Sequence, residues 1–214
     1  MKNWFRGLLL ALSLSPLACG AQATGNYTEG KEYKKVRDAV APADLKKVTV
    51  EEFFWYGCPH CFHADPVIEA WKAKKAADVD FQRIPNTLGS PTGELHMRAF
   101  YIAESLGVGE KIHKPLFAAI HERHQPMSTV DQLKVLFQTE AGIKPEDYDR
   151  ATSSFMVDSR MRRAQQLAMS YGITSVPTLV VGGKYTTSAS LAGSPENAMK
   201  VVDFLVEKIK KERK

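Results

Sequence analysis

Two stretches of the chain alternate between apolar and polar residues, which is typical of strands. In the first stretch, Val48, Val50, Glu52 and Phe54 fall on one side, because successive side chains of a strand point to opposite faces. Residues 79–85 alternate in the same way and predict a second strand. The first stretch carries a carboxylate on its otherwise apolar side, which makes Glu52 a candidate for a special role.

The middle of the chain follows a helical period. Over residues 88–171 the apolar positions recur every three or four residues, which is the spacing of one helix face. The last helix of this block is predicted to begin near Phe155 and to stop at Gly172, since glycine commonly ends a helix. Further on, Ser194 followed by Pro195 marks the start of a final helix.

A strand pair is predicted between this block and the final helix. Residues 178–181 form an apolar run, the pair Gly182-Gly183 follows, and residues 184–186 resume the strand pattern. Two glycines between strands are typical of a two-residue hairpin turn. Residues 24–44 are polar with little periodicity and predict an extended arm.

The first strand runs into Gly57, and two cysteines three residues apart follow. Pro59 suits the first position of a helix, because the N–H that it lacks would be unpaired there. Cys58 is therefore predicted to be the N-cap, where the free N–H groups and the helix dipole favour the nucleophilic thiolate. Cys61 lies one turn further on the same face and can close a disulfide with Cys58. This helix is predicted to run to about Ala77.

Residues 1–23 have the features of an export signal. Two cationic residues precede an apolar stretch over residues 7–18, which is too short to span a membrane. Residues 21–23, Ala-Gln-Ala, form a small-residue cleavage site, so the mature chain is predicted to begin at Thr24. Two alternatives remain open: a retained membrane anchor, and lipoprotein processing at Cys19, which the preceding residues fit poorly.

Cleavage would change both the cysteine count and the charge. Of three cysteines, Cys19 would leave with the signal, and the short loop between Cys58 and Cys61 contributes little entropic stabilisation. The pair is therefore better interpreted as reactive than as structural. The formal charge of +5 falls to +3 without the two signal cations, which is not the signature of a nucleic-acid-binding protein. With 214 residues and 44% hydrophobic content, the chain can bury a substantial core.

Two side chains near the cysteines are candidates for tuning them. Glu52 is interpreted as a buried proton carrier for Cys61, with a pKa raised by desolvation, and the alternative is an edge acid without a role. His60 is interpreted as a main stabiliser of the Cys58 thiolate, as a donor or a cation, and the alternative is a simple helix cap. The sequence predicts no role for Asp65.

The histidines offer a further alternative. A metal site can be imagined from the two cysteines with His60 and His63, but structural zinc sites usually join two separated ligand pairs. No metal is therefore predicted. Four histidines of the helical block form no convincing cluster by spacing, and surface or capping roles are predicted for them: His96, His113, His121 and His124.

A strand that ends in a Cys-X-X-Cys helix is the thioredoxin-type redox motif, and Pro59-His60 between the cysteines resembles the DsbA family of periplasmic disulfide oxidases. Glu52 stands six residues before the first cysteine, where thioredoxin-like proteins have a buried acid. Residues 175–178, Ser-Val-Pro-Thr, resemble the cis-proline loop of the family. The resemblance covers roughly residues 25–210.

This resemblance implies an α/β thioredoxin fold with an inserted all-helical domain. The signal would be followed by a first thioredoxin-like part over residues 24–87, the insertion over 88–155, and a second part over 156–214. It also implies a cis bond between Val176 and Pro177, packed beside the first cysteine. The backbone of Val176 would then pair with an extended substrate chain.

The resemblance implies thiol–disulfide exchange in the periplasm. A reversible Cys58–Cys61 disulfide would oxidise cysteine pairs of newly exported proteins, and a membrane quinone-linked partner of the DsbB kind would reoxidise it. No bound cofactor is expected, because the cysteine pair carries the electrons, and a monomer is expected. Two other classes remain open: an isomerase or reductase, which would keep the pair reduced, and a chaperone, which would survive loss of both sulfurs.

Overall fold

The computed structural model describes residues 25–213. The predicted signal over residues 1–23, the start at Thr24 and the alternative at Cys19 lie outside the described residues. Within the described range, five strands form one sheet. They are β1 (Lys34–Lys35), β2 (Val48–Phe54), β3 (Val79–Pro85), β4 (Thr178–Val181) and β5 (Tyr185–Thr187). The same range contains eight helices: α1 (Pro59–Lys72), α2 (Pro91–Ser105), α3 (Gly109–His121), α4 (Val130–Ala141), α5 (Pro145–Thr152), α6 (Phe155–Tyr171), α7 (Ala189–Ala192) and α8 (Pro195–Glu212).

The sheet has the strand order β1-β5-β4-β2-β3, so β2 lies inside it. β2 runs parallel to β3 and antiparallel to β4, while β5 runs antiparallel to β4 and β1. In this register Glu52 lies opposite Arg83 on β3 and Leu179 on β4. The predicted strands over residues 48–54 and 79–85 are confirmed, and the cysteine motif follows an interior strand directly.

Apolar side chains fill both sides of the sheet. On β4, Val180 joins one buried cluster, which contains most of the helical block, while Leu179 and Val181 join the other, with α8 and part of α1. This division follows from the alternation of side chains along a strand. At about 25 cal/mol per Å² of buried apolar surface, these two clusters supply the main driving force for folding.

The predicted order of elements and the α/β thioredoxin fold with helical insertion are confirmed. α6 runs from Phe155 to Tyr171 and stops at Gly172, which has a positive φ of 70°, and Ser194 caps α8. The division of the chain at residues 87/88 and 155/156 stays a prediction. No helix of the described part is long and apolar enough to cross a membrane.

Three details differ from the sequence expectation. The polar arm contains the short strand β1, which pairs with β5 and is too brief to show a period. The hairpin turn has three residues, Gly182 to Lys184, because the Lys184 N–H donates to the Val181 carbonyl at 3.1 Å and pairing resumes only at Tyr185. The motif helix ends at Lys72, earlier than the expected Ala77.

Candidate active site

The chain turns sharply between β2 and α1. The Cys58 N–H donates to the Trp55 carbonyl at 3.0 Å, and Gly57 fits the turn because a Cβ there would lie 2.4 Å from the Trp55 ring. Cys58 has an extended φ of −89° at the N-cap, and Pro59 is the first helical residue. The N-cap position predicted for Cys58 is confirmed.

The two thiols differ in access and in pKa. Cys58 is 8% exposed and Cys61 is 0% exposed, so Cys58 is the more accessible of the two residues. The pKa of Cys58 is lowered to about 6: the Cys61 thiol beside it makes the largest contribution, the N–H groups of Cys61 and His60 add to it, and burial opposes them. The hydrogen bond to Cys58 and burial raise the pKa of Cys61 in turn. A low-pKa, reachable Cys58 and a high-pKa, buried Cys61 form an asymmetric pair.

His60 contributes less than the sequence suggests. Its side chain is exposed, and its charge is the smallest of the contributions that lower the Cys58 pKa, while the Cys61 thiol makes the largest. The sequence could not rank these effects, because the hydrogen bond between the two sulfurs depends on the geometry of the first helical turn. A role of His60 in tuning the redox pair stays a prediction.

Glu52 lies inside a buried cluster of charges. It accepts a hydrogen bond from Arg83 Nε at 3.1 Å, and the Nη2 atom of Arg83 donates to Asp65 at 3.0 Å and to Glu69. Glu52 is 1% exposed, and burial raises its pKa to about 7, with Arg83 opposing the rise. Glu52 does not lie at a sheet edge, because β2 is an interior strand, and its role as a proton carrier stays a prediction. The charge of Glu52 also helps to raise the pKa of Cys61.

Asp65 links this cluster to the helical block. His113 Nε2 lies 2.9 Å from Asp65 Oδ1, and His113 Nδ1 lies 3.0 Å from the Tyr56 hydroxyl. A neutral imidazole fills both contacts by donating at Nε2 and accepting at Nδ1. Burial, the largest influence, lowers the pKa of His113 and favours this neutral form. Burial alone would raise the pKa of Asp65, but His113 and Arg83 outweigh it and hold that pKa low.

The surface or capping roles predicted for the histidines of the block are wrong for two of them. His96 and His113 are 2% and 5% exposed. His96 accepts from the Trp55 indole at 3.1 Å and lies 3.0 Å from the Met127 carbonyl. Their spacing along the chain hides these contacts, because Trp55 and Tyr56, on the turn before Cys58, lie 41 residues from His96 and 57 residues from His113. His124 is exposed, as predicted.

The loop before β4 lies against the first cysteine. The Val176–Pro177 peptide bond is cis, and the Cys58 sulfur lies 3.6 Å from the Val176 carbonyl oxygen, to which it donates when it is protonated. The cis bond and its place beside Cys58 are confirmed. Among residues 25–213, no cluster of three or more His, Cys, Asp and Glu side chains could hold a metal ion.

Comparison with known proteins now identifies the family. A family model described as "DSBA-like thioredoxin domain" matches residues 84–200. This chain belongs to the DsbA-like thioredoxin family. The thiol:disulfide interchange protein DsbA of Pseudomonas aeruginosa is 38% identical over 208 residues, which cover 97% of each chain.

Solved structures of DsbA proteins agree with this family. The crystal structure of Pseudomonas aeruginosa DsbA matches with a TM-score of 0.81 and 38% identity, covering 87% of this chain and 96% of that one. A Proteus mirabilis DsbA, solved with the non-covalently bound peptide PWATCDS, matches with a TM-score of 0.74 and 30% identity, covering 86% and 98%. This DsbA-like chain is a thiol:disulfide oxidoreductase.

Several residues around this DsbA-like site were not predicted from the sequence. The register of β2 against β3 puts Arg83 opposite Glu52. The one sign of this in the sequence is that Arg83 is a charged residue within a predicted strand. Tyr56 and His113 gave no signal of their own, since an aromatic residue or a histidine on an apolar face is usually part of the core.

Proposed function

We propose that this oxidoreductase is a disulfide oxidase of exported proteins, with Cys58 as the attacked sulfur and Cys61 as its resolving partner. One observation carries the proposal: Cys58 stands at a helix N-cap beside a buried thiol, and its pKa is lowered to about 6. A thiol with such a pKa is mostly thiolate at pH 7, and thiolates of low pKa are good leaving groups in exchange.

The exchange runs in two balanced steps. A substrate thiolate attacks the Cys58 sulfur, the Cys58–Cys61 bond breaks, and Cys61 leaves as a thiolate that takes up one proton. The second substrate thiolate then attacks the substrate sulfur of the mixed disulfide, and Cys58 leaves as a thiolate. The substrate gains a disulfide and loses two electrons, and the protein ends as a thiolate and a thiol.

Glu52 is the proposed donor of the proton that Cys61 takes up. Its pKa of about 7 lets it hold a proton and release it near neutral pH, which is the match that general acid–base catalysis requires. Its charge raises the pKa of the Cys61 thiol, and this effect supports the assignment.

The loop at Val176 and Pro177 is the proposed binding edge for substrate. The Val176 carbonyl lies 3.6 Å from the Cys58 sulfur, so a chain paired with this backbone would bring its own cysteine close to Cys58. The peptide-bound Proteus mirabilis relative supports a binding mode for peptides that contain cysteine. Pro59 would contribute by starting the helix, and His60 by its N–H and its charge.

The wider setting follows the family. We propose that the signal over residues 1–23 directs the chain to the periplasm, and that the mature protein begins at Thr24 and acts there as a monomer without a bound cofactor or nucleic acid. Its substrates would be unfolded or newly exported proteins with free cysteines. A membrane quinone-linked protein of the DsbB kind would restore the disulfide.

A stoichiometric oxidation assay tests the proposal. Oxidised protein is mixed with a reduced peptide containing two cysteines, the reaction is quenched with acid, the peptide is separated from the protein, and its thiols are counted by a chromogenic disulfide reagent and by mass. We expect two thiols to disappear per protein, none with Cys58→Ser, and unchanged oxidation with His63→Ala, an exposed control on the same helix.

Two results would redirect the assignment. If the reduced protein instead transfers electrons to an oxidised peptide at equal concentrations, the reductase class is correct. If a variant with both cysteines replaced by serine still promotes folding of exported proteins as well as the natural chain, the chaperone class is correct.

A further inference from the structure

The turn before Cys58 is held by side chains of the helical block. His96 contacts the Trp55 indole, His113 contacts the Tyr56 hydroxyl, and His121 Nε2 lies 2.7 Å from the Tyr56 carbonyl. A carbonyl only accepts, so His121 must donate through Nε2. Three imidazoles from α2 and α3 therefore fix the two residues that precede Gly57.

His121 differs from the other two because it also touches the far side of the cysteine motif. Its ring stacks on Phe62, with centroids 4.8 Å apart and an interplanar angle of 16°. Phe62 directly follows Cys61, and Tyr56 stands two residues before Cys58. One side chain at the end of α3 therefore contacts the chain on both sides of the redox motif.

This position matters because the Cys58 pKa depends on short-range geometry. The Cys61 thiol and the N–H groups of His60 and Cys61 all lower that pKa, and each effect falls off if the turn moves away from the first turn of α1. Cys58 belongs to the turn that Tyr56 anchors, whereas Cys61 belongs to the helix that Phe62 continues. Because His121 contacts both Tyr56 and Phe62, it fixes the position of the Cys58 sulfur relative to the Cys61 sulfur.

We propose that His121 is a positioning residue for the redox pair, which keeps Cys58 aligned with Cys61 and the helix N-terminus and so favours the thiolate. This inference rests on the proposed oxidase function, because it concerns the stability of the reduced form. His121 is half-buried at the last residue of α3, so its replacement opens no sealed core cavity.

Three variants separate the two contacts of His121. His121→Phe keeps a ring against Phe62 but cannot donate to Tyr56, His121→Gln restores a donor, and His121→Ala removes both contacts. His124→Asn is the matched control, because His124 is exposed and has a positive φ of 53° that asparagine tolerates. Thiolate absorbance gives the Cys58 pKa, and equilibration with glutathione gives the redox constant.

We expect His121→Phe and His121→Ala to raise the Cys58 pKa and to shift the redox constant by about two- to tenfold toward the disulfide, the range that one hydrogen bond supplies. His121→Gln should recover part of this shift, since an amide N–H replaces the imidazole donor to Tyr56 while the ring against Phe62 is absent. The control should match the natural protein.

The outcome that overturns the inference is an unchanged pKa and redox constant in all three variants, together with equal losses of unfolding free energy in the oxidised and reduced forms. His121 would then be a structural contact only. If the natural protein itself has an ordinary thiol pKa at Cys58, the proposed function fails and this inference falls with it. A low pKa in the natural protein with unchanged variants overturns the inference alone.

Discussion

Measuring the redox potential of the Cys58–Cys61 pair as a function of pH probes the thiolate directly. Reduction of the disulfide takes up two electrons, and the number of protons depends on whether Cys58 is protonated afterwards. With a Cys58 pKa of about 6 and a raised Cys61 pKa, two protons are taken up below that pH and one above it. Each proton contributes about 30 mV per pH unit for a two-electron couple.

The predicted curve therefore has two slopes. The potential should fall by about 59 mV per pH unit below about pH 6 and by about 30 mV per unit above it. At pH 7 a thiol with this pKa is about nine-tenths ionised, so the reduced form gains about one pKa unit of stabilisation over an ordinary thiol. That gain is about 1.4 kcal/mol, or roughly 30 mV of oxidising power.

The assay equilibrates the protein with glutathione buffers between pH 4.5 and 8 and quantifies both redox forms after acid quenching. Glu52→Gln is the control, because Glu52 has a pKa of about 7 and is the neighbouring group that could add curvature in this range. A single slope of about 59 mV per unit through pH 7.5 would show that Cys58 is an ordinary protonated thiol and not a thiolate.

Three further predictions concern the buried network. Glu52→Gln should remove a pH dependence of the unfolding free energy. The raised pKa of Glu52 gives stability that is full below pH 4.5 and is lost as pH rises through about 7, an effect of about 3 kcal/mol between denaturant titrations at pH 4.5 and 7.5. An equal change of unfolding free energy with pH in both proteins would contradict this prediction. Arg83→Met should cost about 3–5 kcal/mol of unfolding free energy, because it leaves buried carboxylates without their cationic partner. A loss below about 1 kcal/mol would show that these carboxylates find other partners or take up protons. Tyr56→Phe should cost about 1–3 kcal/mol, since it leaves His113 Nδ1 without its donor; a neutral result in the same titration would mean that another donor replaces the hydroxyl.

The sequence predicts the elements around the site well, because their signals are local. Alternation gives the bounds of β2 and β3, Pro59 gives the start of α1, and Gly172 gives the end of α6. The resemblance to a known family adds the cis-proline loop, which no period in the sequence would reveal. Local signals of this kind predict the elements correctly because they depend on a few neighbouring residues and not on how the elements pack together.

The surroundings of the cysteines could not be predicted, because they depend on which elements pack together. Arg83 meets Glu52 only through the register of two parallel strands. His113 contacts the Tyr56 hydroxyl, although the two residues are 57 positions apart in the chain. This contact forms only when α3 packs beside the turn. The weak contribution of His60 likewise emerges only once the hydrogen bond between the two thiols is known.

The equilibrium between the Cys58–Cys61 pair and glutathione at pH 7 decides whether the pair acts as an oxidant. Because the thiolate at Cys58 stabilises the reduced form, we predict that the pair is a stronger oxidant than the glutathione couple. Reduced glutathione should therefore convert the disulfide to the thiol form even when oxidised glutathione is present at equal concentration. If the disulfide persists in an excess of reduced glutathione, the pair favours the reduction of other disulfides and the protein is not an oxidase.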